Sequence, residues 1–231
     1  MKKENTLLLA SQSPRRRELL SFTGLGFDVA SADVDEGILP DEETASYVLR
    51  LAEAKARASA SQPSPSALSQ GERGLVVIGS DTAVVDAGET LGKPQDTREA
   101  ESMLRQLRGR THQVYTAIAI YDETSDKGFS ELCISDVPMR EYSDDEMSAY
   151  IQTGDPMDKA GGYAIQHPEF QPVESFAGCF ASVMGLPLCH LARILKKVDV
   201  DVQADLPLVC QSSLGYECTI SDAVLLGENL G

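Results

Sequence analysis

Three consecutive arginines, Arg15, Arg16 and Arg17, stand directly behind Ser13 and Pro14 in the stretch TLLLASQSPRRRELL, residues 6–20. Serine is a favoured helix cap and proline a favoured first helical residue, so a helix is predicted to start here. The apolar run at 7–10 ahead of it is short and continuous, and reads as a buried strand. A strand, a tight polar turn and a helix N-terminus bring backbone N–H groups, the positive end of the helix dipole and guanidinium forks to one place. That combination suits a phosphate chain. An arginine-rich solvated helix face is the other reading of the same residues.

Asp81 is the strongest carboxylate candidate. It follows LVVIGS, a β-branched run predicted to be a central strand, and ligands in open α/β sheets gather at the carboxyl ends of strands. There it could bind a divalent cation or accept a proton from water, or it could merely cap a turn. Thr82 beside it could hold an edge of a substrate or simply satisfy strand propensity. Lys93, between Gly92 and Pro94, is presented by a stiff turn, whereas Lys55 lies on a predicted helix where lysines are usually solvated. Asp158, Lys159 and Gln166 surround Gly161 and Gly162, which allow close backbone approach to a ligand and equally serve ordinary turns. His112, His167 and His190 are scattered, so core or surface positions fit them better than metal ligation or a Ser-His-Asp triad.

The 231 residues carry a net charge of −16, which speaks against a nucleic-acid coat or an anionic membrane surface as partner. In such an acidic chain the clustered arginines concentrate scarce positive charge, as a pocket for a small polyanion would. No apolar run approaches the 18 or so residues of a membrane span, and Glu4 and Asn5 interrupt any signal-peptide pattern. Five cysteines, an odd number without a C-x-x-C pair, are expected to be reduced thiols of a cytoplasmic protein rather than a disulfide framework or a zinc site.

The elements that must position these groups alternate between strand and helix. A second short strand is predicted at 27–30, followed by an acidic segment with Asp33, Asp35 and Glu36, and then a helix over 41–60. Residues 61–73, rich in Ser, Pro and Gly, are expected to form a surface loop. After the strand at 75–79 and its extension to Val85, a turn at 86–89 leads to LGKP. A helix over 97–108 is expected to be capped by Thr97 and stopped by Gly109. Strands at 112–121 and 129–140 read as an antiparallel ribbon, and Ser143 with Glu146 forms a capping box for a helix through Ile151. Residues 167–180 have no clear period. A last helix is expected from 185 to about 197, and the segment beyond Asp199 is acidic and aperiodic.

LLLASQSPRRRELL, GSDTAVV, LGKPQD, DKAGGYAIQ and VMGLPL, in this order, resemble the Maf family of nucleoside triphosphate pyrophosphatases over roughly residues 6–197. The resemblance implies an α/β fold shared with inosine triphosphate pyrophosphatases: a long bent mixed sheet flanked by helices, two lobes and a central cleft. It implies hydrolysis between the α and β phosphates, a divalent cation (Mg2+ or Mn2+) and a homodimer. It makes Asp81 the proton acceptor and, with Glu36, a metal contact. It places Ser13, Arg15 and Arg16 in the loop that meets phosphates and base, and makes Lys55 and Lys93 the basic residues of the A-K-A helix and G-K-P turn. Arg16, Thr82 and Gln166 together are similar to the dTTP/UTP branch, whose substrates could extend to modified pyrimidine nucleotides. The 7-methyl-GTP branch differs around the SP-R turn and after the aspartate.

On this basis residues 1–198 are expected to form the pyrophosphatase domain and 199–231 a C-terminal extension of unknown structure. After Gln166 the chain reads HPEFQPVESFAGCFASVMGLPL where many members have a glycine-rich turn and hairpin. Two alternatives stay open: a nucleotide-binding regulator of septum formation and cell division with secondary or no hydrolysis, and a phosphate-binding module without turnover.

Overall fold

The computed structural model describes residues 5–61 and 74–231. Its centre is a six-stranded mixed sheet with helices on both faces. Strand β1 (Thr6–Ala10) runs parallel to β2 (Phe27–Ala30) on one side and to β3 (Leu75–Asp86) on the other. On its far edge β3 pairs antiparallel with β5 (Thr111–Asp122), and β5 with β6 (Lys127–Pro138). The short β4 (Glu89–Leu91) folds back on the end of β3. This is the expected α/β class.

β3 joins the strand predicted at 75–79 and its extension to Val85 into one strand, which runs through Ser80, Asp81 and Thr82 without interruption to Asp86. Its pairing with β5 carries it across the polar residues, from Val76 opposite Asp122 to Val85 opposite Gln113. Cross-strand hydrogen bonding thus overrides the local turn signal. Asp81 therefore lies mid-strand. It nonetheless sits just past the carboxyl end of the parallel half, because β1 stops at Ala10.

Helix α1 (Pro14–Ser21) starts where predicted, with the Ser13 hydroxyl accepting from Arg16 N at 3.5 Å. Helix α2 (Thr44–Ala60) covers one sheet face with Val48, Leu51, Ala52 and Ala56. A Cβ on Gly79 would run into the Ala52 carbonyl and Ala56, so glycine lets α2 lie close against β3 just before Asp81. The helix begins at Thr44 rather than 41, since Asp41 takes a left-handed φ of 57° and Glu42 turns its carboxylate to the Leu39 N–H and Arg50.

The opposite face carries α1, α3 (Thr97–Leu107), α4 (Asp144–Gln152), α5 (Phe180–Val183) and α6 (Leu188–Leu195) around the main core. Asp96, not Thr97, caps α3; its carboxylate accepts from Arg98 N and Glu99 N at 2.9 and 2.8 Å, a stronger cap than a hydroxyl one residue too late. The capping box of Ser143 and Glu146 is present on α4.

Beyond Asp199 the aperiodic sequence forms two further helices, α7 (Leu206–Leu214) and α8 (Ser221–Leu225). Arg193 on α6 ties this segment down, donating to the Val224 and Glu228 carbonyls at 3.0 and 2.8 Å while gripping Glu131 of β6. The surface loop expected at 61–73 lies, but for Ser61, outside the described residues. All five cysteines are free thiols, and no helix among the described residues is long and apolar enough to cross a membrane.

Candidate active site

The site originates in a gap at one edge of β3. β1 pairs with β3 only as far as Leu9 opposite Ile78, and β4 joins the same edge only at Val84 opposite Leu91. Among the described residues no strand pairs with residues 79–83 along that edge. Strand alternation then sends neighbouring side chains to opposite faces. Asp81 reaches Lys55 on α2, while Ser80 donates to the Gly185 carbonyl in the turn after α5 and Thr82 meets Arg16 and Thr116.

Arg16 fills part of this gap from the first turn of α1. Its Nη1 donates to the Ser80 carbonyl at 2.8 Å and to Ser11 Oγ at 3.4 Å, its Nε to the Gly185 carbonyl at 3.0 Å, and its Nη2 to Thr82 Oγ1 at 3.1 Å. Four of the five guanidinium hydrogens are thereby committed within the protein, leaving one on Nη2. Burial lowers the Arg16 pKa while Asp81 pulls it the other way, and a guanidinium starts so high that it stays a cation. Gly185 has a φ of 109°, and a Cβ there would press on Arg16 Nε and Thr82 Oγ1, so this turn requires glycine. Thr116 on β5, the register partner of Thr82, lies 3.1 Å from its hydroxyl and 2.8 Å from the Ser182 carbonyl.

On the other face Lys55 of α2 joins two carboxylates. Its Nζ lies 2.7 Å from Asp81 Oδ1 and 2.6 Å from Glu36 Oε1. The Lys55 and Asp81 side chains are 15% and 12% exposed and that of Glu36 55%, so one pairing is largely dry and the other faces solvent. Burial pushes the Glu36 carboxyl up, but the Lys55 hydrogen bond and charge, with Lys93 and Arg16, hold it below the usual range. The loop bearing Glu36 is fastened from α2. Tyr47 Oη donates to the Glu36 carbonyl at 3.0 Å, and Arg50 donates to the Gly37 carbonyl at 2.9 Å and to both Glu42 carboxylate oxygens. Burial, then the charges of Asp81 and Glu36, raise the Tyr47 pKa.

These groups open onto one cleft of about 570 Å³. Ser13, Arg15, Arg16, Glu36, Lys55, Asp81, Thr82, Lys93 and Gln166 all line it, whereas Arg17, the third arginine of the run, does not. Arg15 Nη1 pairs with Asp158 at 3.2 Å. The buried Lys159 ammonium is held by the Asp155 and Asp158 carboxylates at 2.8 and 2.6 Å. Lys93 is exposed on the loop after β4, with its charge felt at Glu36. The three histidines stay outside the cleft: His112 bonds Tyr163 in the core at 2.8 Å, His190 is buried, and His167 accepts from Phe170 N at 3.0 Å.

Sequence reasoning passed over Ser80, Thr116, the Gly185 carbonyl, Tyr47 and Arg50. Thr116 becomes visible only once β3 and β5 are in register. The alternation of Ser80, Asp81 and Thr82 was itself the signal of a strand with a different polar partner on each face.

A family model described as Maf-like protein matches residues 6–198. A dTTP/UTP pyrophosphatase of Geotalea uraniireducens (strain Rf4) is 41% identical over 198 residues, 86% of this chain and 97% of that protein. The dTTP/UTP pyrophosphatases of Geobacter sulfurreducens and Anaeromyxobacter dehalogenans (strain 2CP-C) are 42% and 43% identical, over 83% of this chain and 96% and 93% of theirs. The solved Staphylococcus aureus Ham1 protein aligns over 91% of this chain and 98% of its own at 14% identity, with a TM-score of 0.32, too slight a likeness to carry an argument. Matched over residues 6–198 and more than 40% identical to relatives that it spans almost end to end, the chain belongs to the Maf-like protein family.

Proposed function

We propose that this chain is a nucleoside triphosphate pyrophosphatase that hydrolyses dTTP and UTP, and modified pyrimidine nucleotides, to the monophosphate and pyrophosphate. The observation that carries the reading is the Asp81 carboxylate fixed by Lys55 inside a cleft that also holds Arg15, Arg16 and Lys93. The names of the relatives supply the substrate.

A triphosphate carries about four negative charges, so its hydrolysis asks for positioning and charge neutralisation more than for covalent chemistry. Arg15, Lys93 and the N-terminus of α1 bind the phosphate chain. Lys55 holds Asp81 through Oδ1, which leaves Oδ2 to accept the proton of a water attacking the α-phosphorus. The bond from the α-phosphorus to the bridging oxygen breaks, and pyrophosphate leaves with its charge stabilised by Arg15, Lys55 and Lys93. Each charge-assisted hydrogen bond contributes about 1.5–3 kcal/mol.

Asp81 and Glu36 each give one carboxylate oxygen to the Lys55 ammonium, so a cation would take their remaining oxygens beside it, and no group of three or more metal-binding side chains forms among the described residues. That donor set fits Mg2+ or Mn2+, which keep waters and complete their shells with substrate phosphates, rather than a cation caged by protein alone. When bound, such a cation neutralises phosphate charge and acidifies water. Thr82, the remaining Arg16 N–H and Gln166 read the base, and Ser13 shapes the phosphate turn. The reading takes 1–198 as the catalytic domain, 199–231 as an extension, and the protein as a cytoplasmic homodimer.

A panel of native and modified nucleoside triphosphates, assayed for pyrophosphate release with magnesium and with manganese, tests the proposal. dTTP and UTP should be hydrolysed fastest, because a site built to hydrogen-bond a pyrimidine edge leaves polar groups unpaired with the wrong base. ATP hydrolysed fastest would refute the substrate assignment. Nucleotide binding without metal-dependent turnover would refute the activity.

A further inference from the structure

The family match ends at residue 198, but the chain does not leave the cleft alone after that point. Tyr216, between α7 and α8, stacks on Phe180 with ring centroids 5.2 Å apart and tilts against Phe176 at 5.4 Å. Its hydroxyl reaches the Phe176 and Gly178 carbonyls at 3.3 and 3.1 Å. Residues 176–180 lead into α5, and α5 leads to two carbonyls that matter. The Ser182 carbonyl lies 2.8 Å from Thr116 Oγ1, which adjoins Thr82. The Gly185 carbonyl accepts from Arg16 Nε and from Ser80 Oγ at 3.0 and 2.8 Å. Val183 and Met184 line the cleft directly. The other end of the added segment is clamped by Arg193, whose guanidinium ties the Val224 and Glu228 carbonyls to Glu131 on β6.

We infer that residues 199–231 brace the base-reading wall of the cleft, with Tyr216 as the positioning residue. No residue of the segment lines the cleft itself. Its effect passes through residues 176–185 to Arg16 and Thr82, so it governs how firmly the base is read and leaves the phosphate side alone. This rests on the assignment of Arg16 and Thr82 to base recognition.

The test uses the full chain with Tyr216→Leu, which removes ring and hydroxyl, Tyr216→Phe, which keeps the ring, and Arg193→Gln, which releases the far clamp. The readouts are kcat/KM for dTTP relative to ATP, competitive inhibition by pyrophosphate, and equilibrium binding of pyrophosphate and of dTMP. Tyr216→Leu is expected to cut dTTP-over-ATP discrimination and dTMP affinity by about three- to tenfold, the equivalent of one lost hydrogen bond. Pyrophosphate inhibition should change by less than about twofold, since no phosphate contact is disturbed. Tyr216→Phe and Arg193→Gln should fall between, and they decide the matter if Tyr216→Leu does not fold. A folded Tyr216→Leu with wild-type selectivity and dTMP affinity overturns the inference. So does a parallel loss of pyrophosphate and dTMP binding, which would mark general loosening. Wild-type protein that fails to hydrolyse dTTP overturns the activity instead, and the dTMP and pyrophosphate binding arms still judge the brace.

Discussion

Replacing Asp81 by asparagine separates chemistry from folding more cleanly than any other single change in the cleft. Asparagine has the same shape, and its carbonyl oxygen can still accept from Lys55, which keeps Glu36 as its charged partner at 2.6 Å. No buried cation is left uncompensated. The folding cost is then the difference between a charge-assisted and a neutral hydrogen bond, about 1 kcal/mol, or about 2–4 °C in Tm for a chain of this size. The catalytic cost is of another order, because an amide accepts no proton. Loss of a positioned general base typically removes 10²- to 10⁴-fold, about 3–5 kcal/mol. Asp81→Asn should therefore melt within a few degrees of wild type and release pyrophosphate from dTTP at least about 100-fold more slowly, with KM little changed. Single-turnover assays with enzyme in excess over nucleotide would expose a trace contaminant. Turnover within tenfold of wild type would remove Asp81 from proton transfer, and a rate loss matched by loss of folded protein would reduce it to a structural residue.

Two further outcomes follow from the charges. Lys55→Met leaves the Asp81 and Glu36 carboxylates facing each other without their cation. Two unit charges about 5 Å apart repel by about 3 kcal/mol at an effective dielectric of about 20, discounted for the half-exposed Glu36. Glu36, held below its ordinary range in the wild type, contributes stability that is present above its unfolded pKa and lost as pH falls through the depressed value. In Lys55→Met that contribution disappears, and the acid limb of kcat/KM should move to higher pH; an unmoved limb would contradict the coupling. His190 has the same linkage sign for a different reason, since burial favours its neutral form rather than a charged one. Burial lowers its pKa to about 4, so the unfolded chain, at about 6.5, binds the proton first, and stability is lost as pH falls from about 6.5 to 4. His190→Leu should flatten part of the decline of Tm across that window, with His112, also lowered to about 4, accounting for more of it. An identical Tm–pH curve would place the titration elsewhere.

Local rules were readable wherever one residue type satisfies one backbone need. Ser13 before Pro14 starts α1, the capping box starts α4, and of the residues at helical spacing in α2 Val48 and Leu51 are buried while Tyr47 and Ala54 are half-buried. The same rules misplaced elements where a distant partner decided the outcome. For Ser80-Asp81-Thr82, strand and turn cap both stay open until β5 is alongside. The segment LPLVCQSSL has little helical periodicity, yet Asp205 caps it and Gly215 stops it, a pair of signals outweighed in the sequence by the acidity around them. The cleft was legible as residue types but not as contacts. Nothing in the chain order announces that Lys55 bridges Glu36 and Asp81, or that Arg16 spends most of its hydrogens on Ser80, Thr82 and Gly185.

The gap along β3 explains why those contacts occur where they do. A central strand that keeps one edge bare must satisfy its backbone by other means, since an unpaired buried carbonyl costs about as much as a lost hydrogen bond. Arg16 meets that need at Ser80, and the same guanidinium reaches the Gly185 turn and Thr82, so closing the gap and shaping that wall of the cleft are one event. On the opposite face the side chain between them, Asp81, has its nearly buried charge met by a cation, Lys55, and that cation brings in Glu36 from the loop after β2. A chain of net charge −16 in this way gathers Arg15, Arg16, Lys55 and Lys93 around one cavity, with carboxylates pairing Arg15 and Lys55 and setting where positive charge stands before any nucleotide arrives. Shorten β1 by one residue or extend β4 by two, and the gap that organises all of this would move or close.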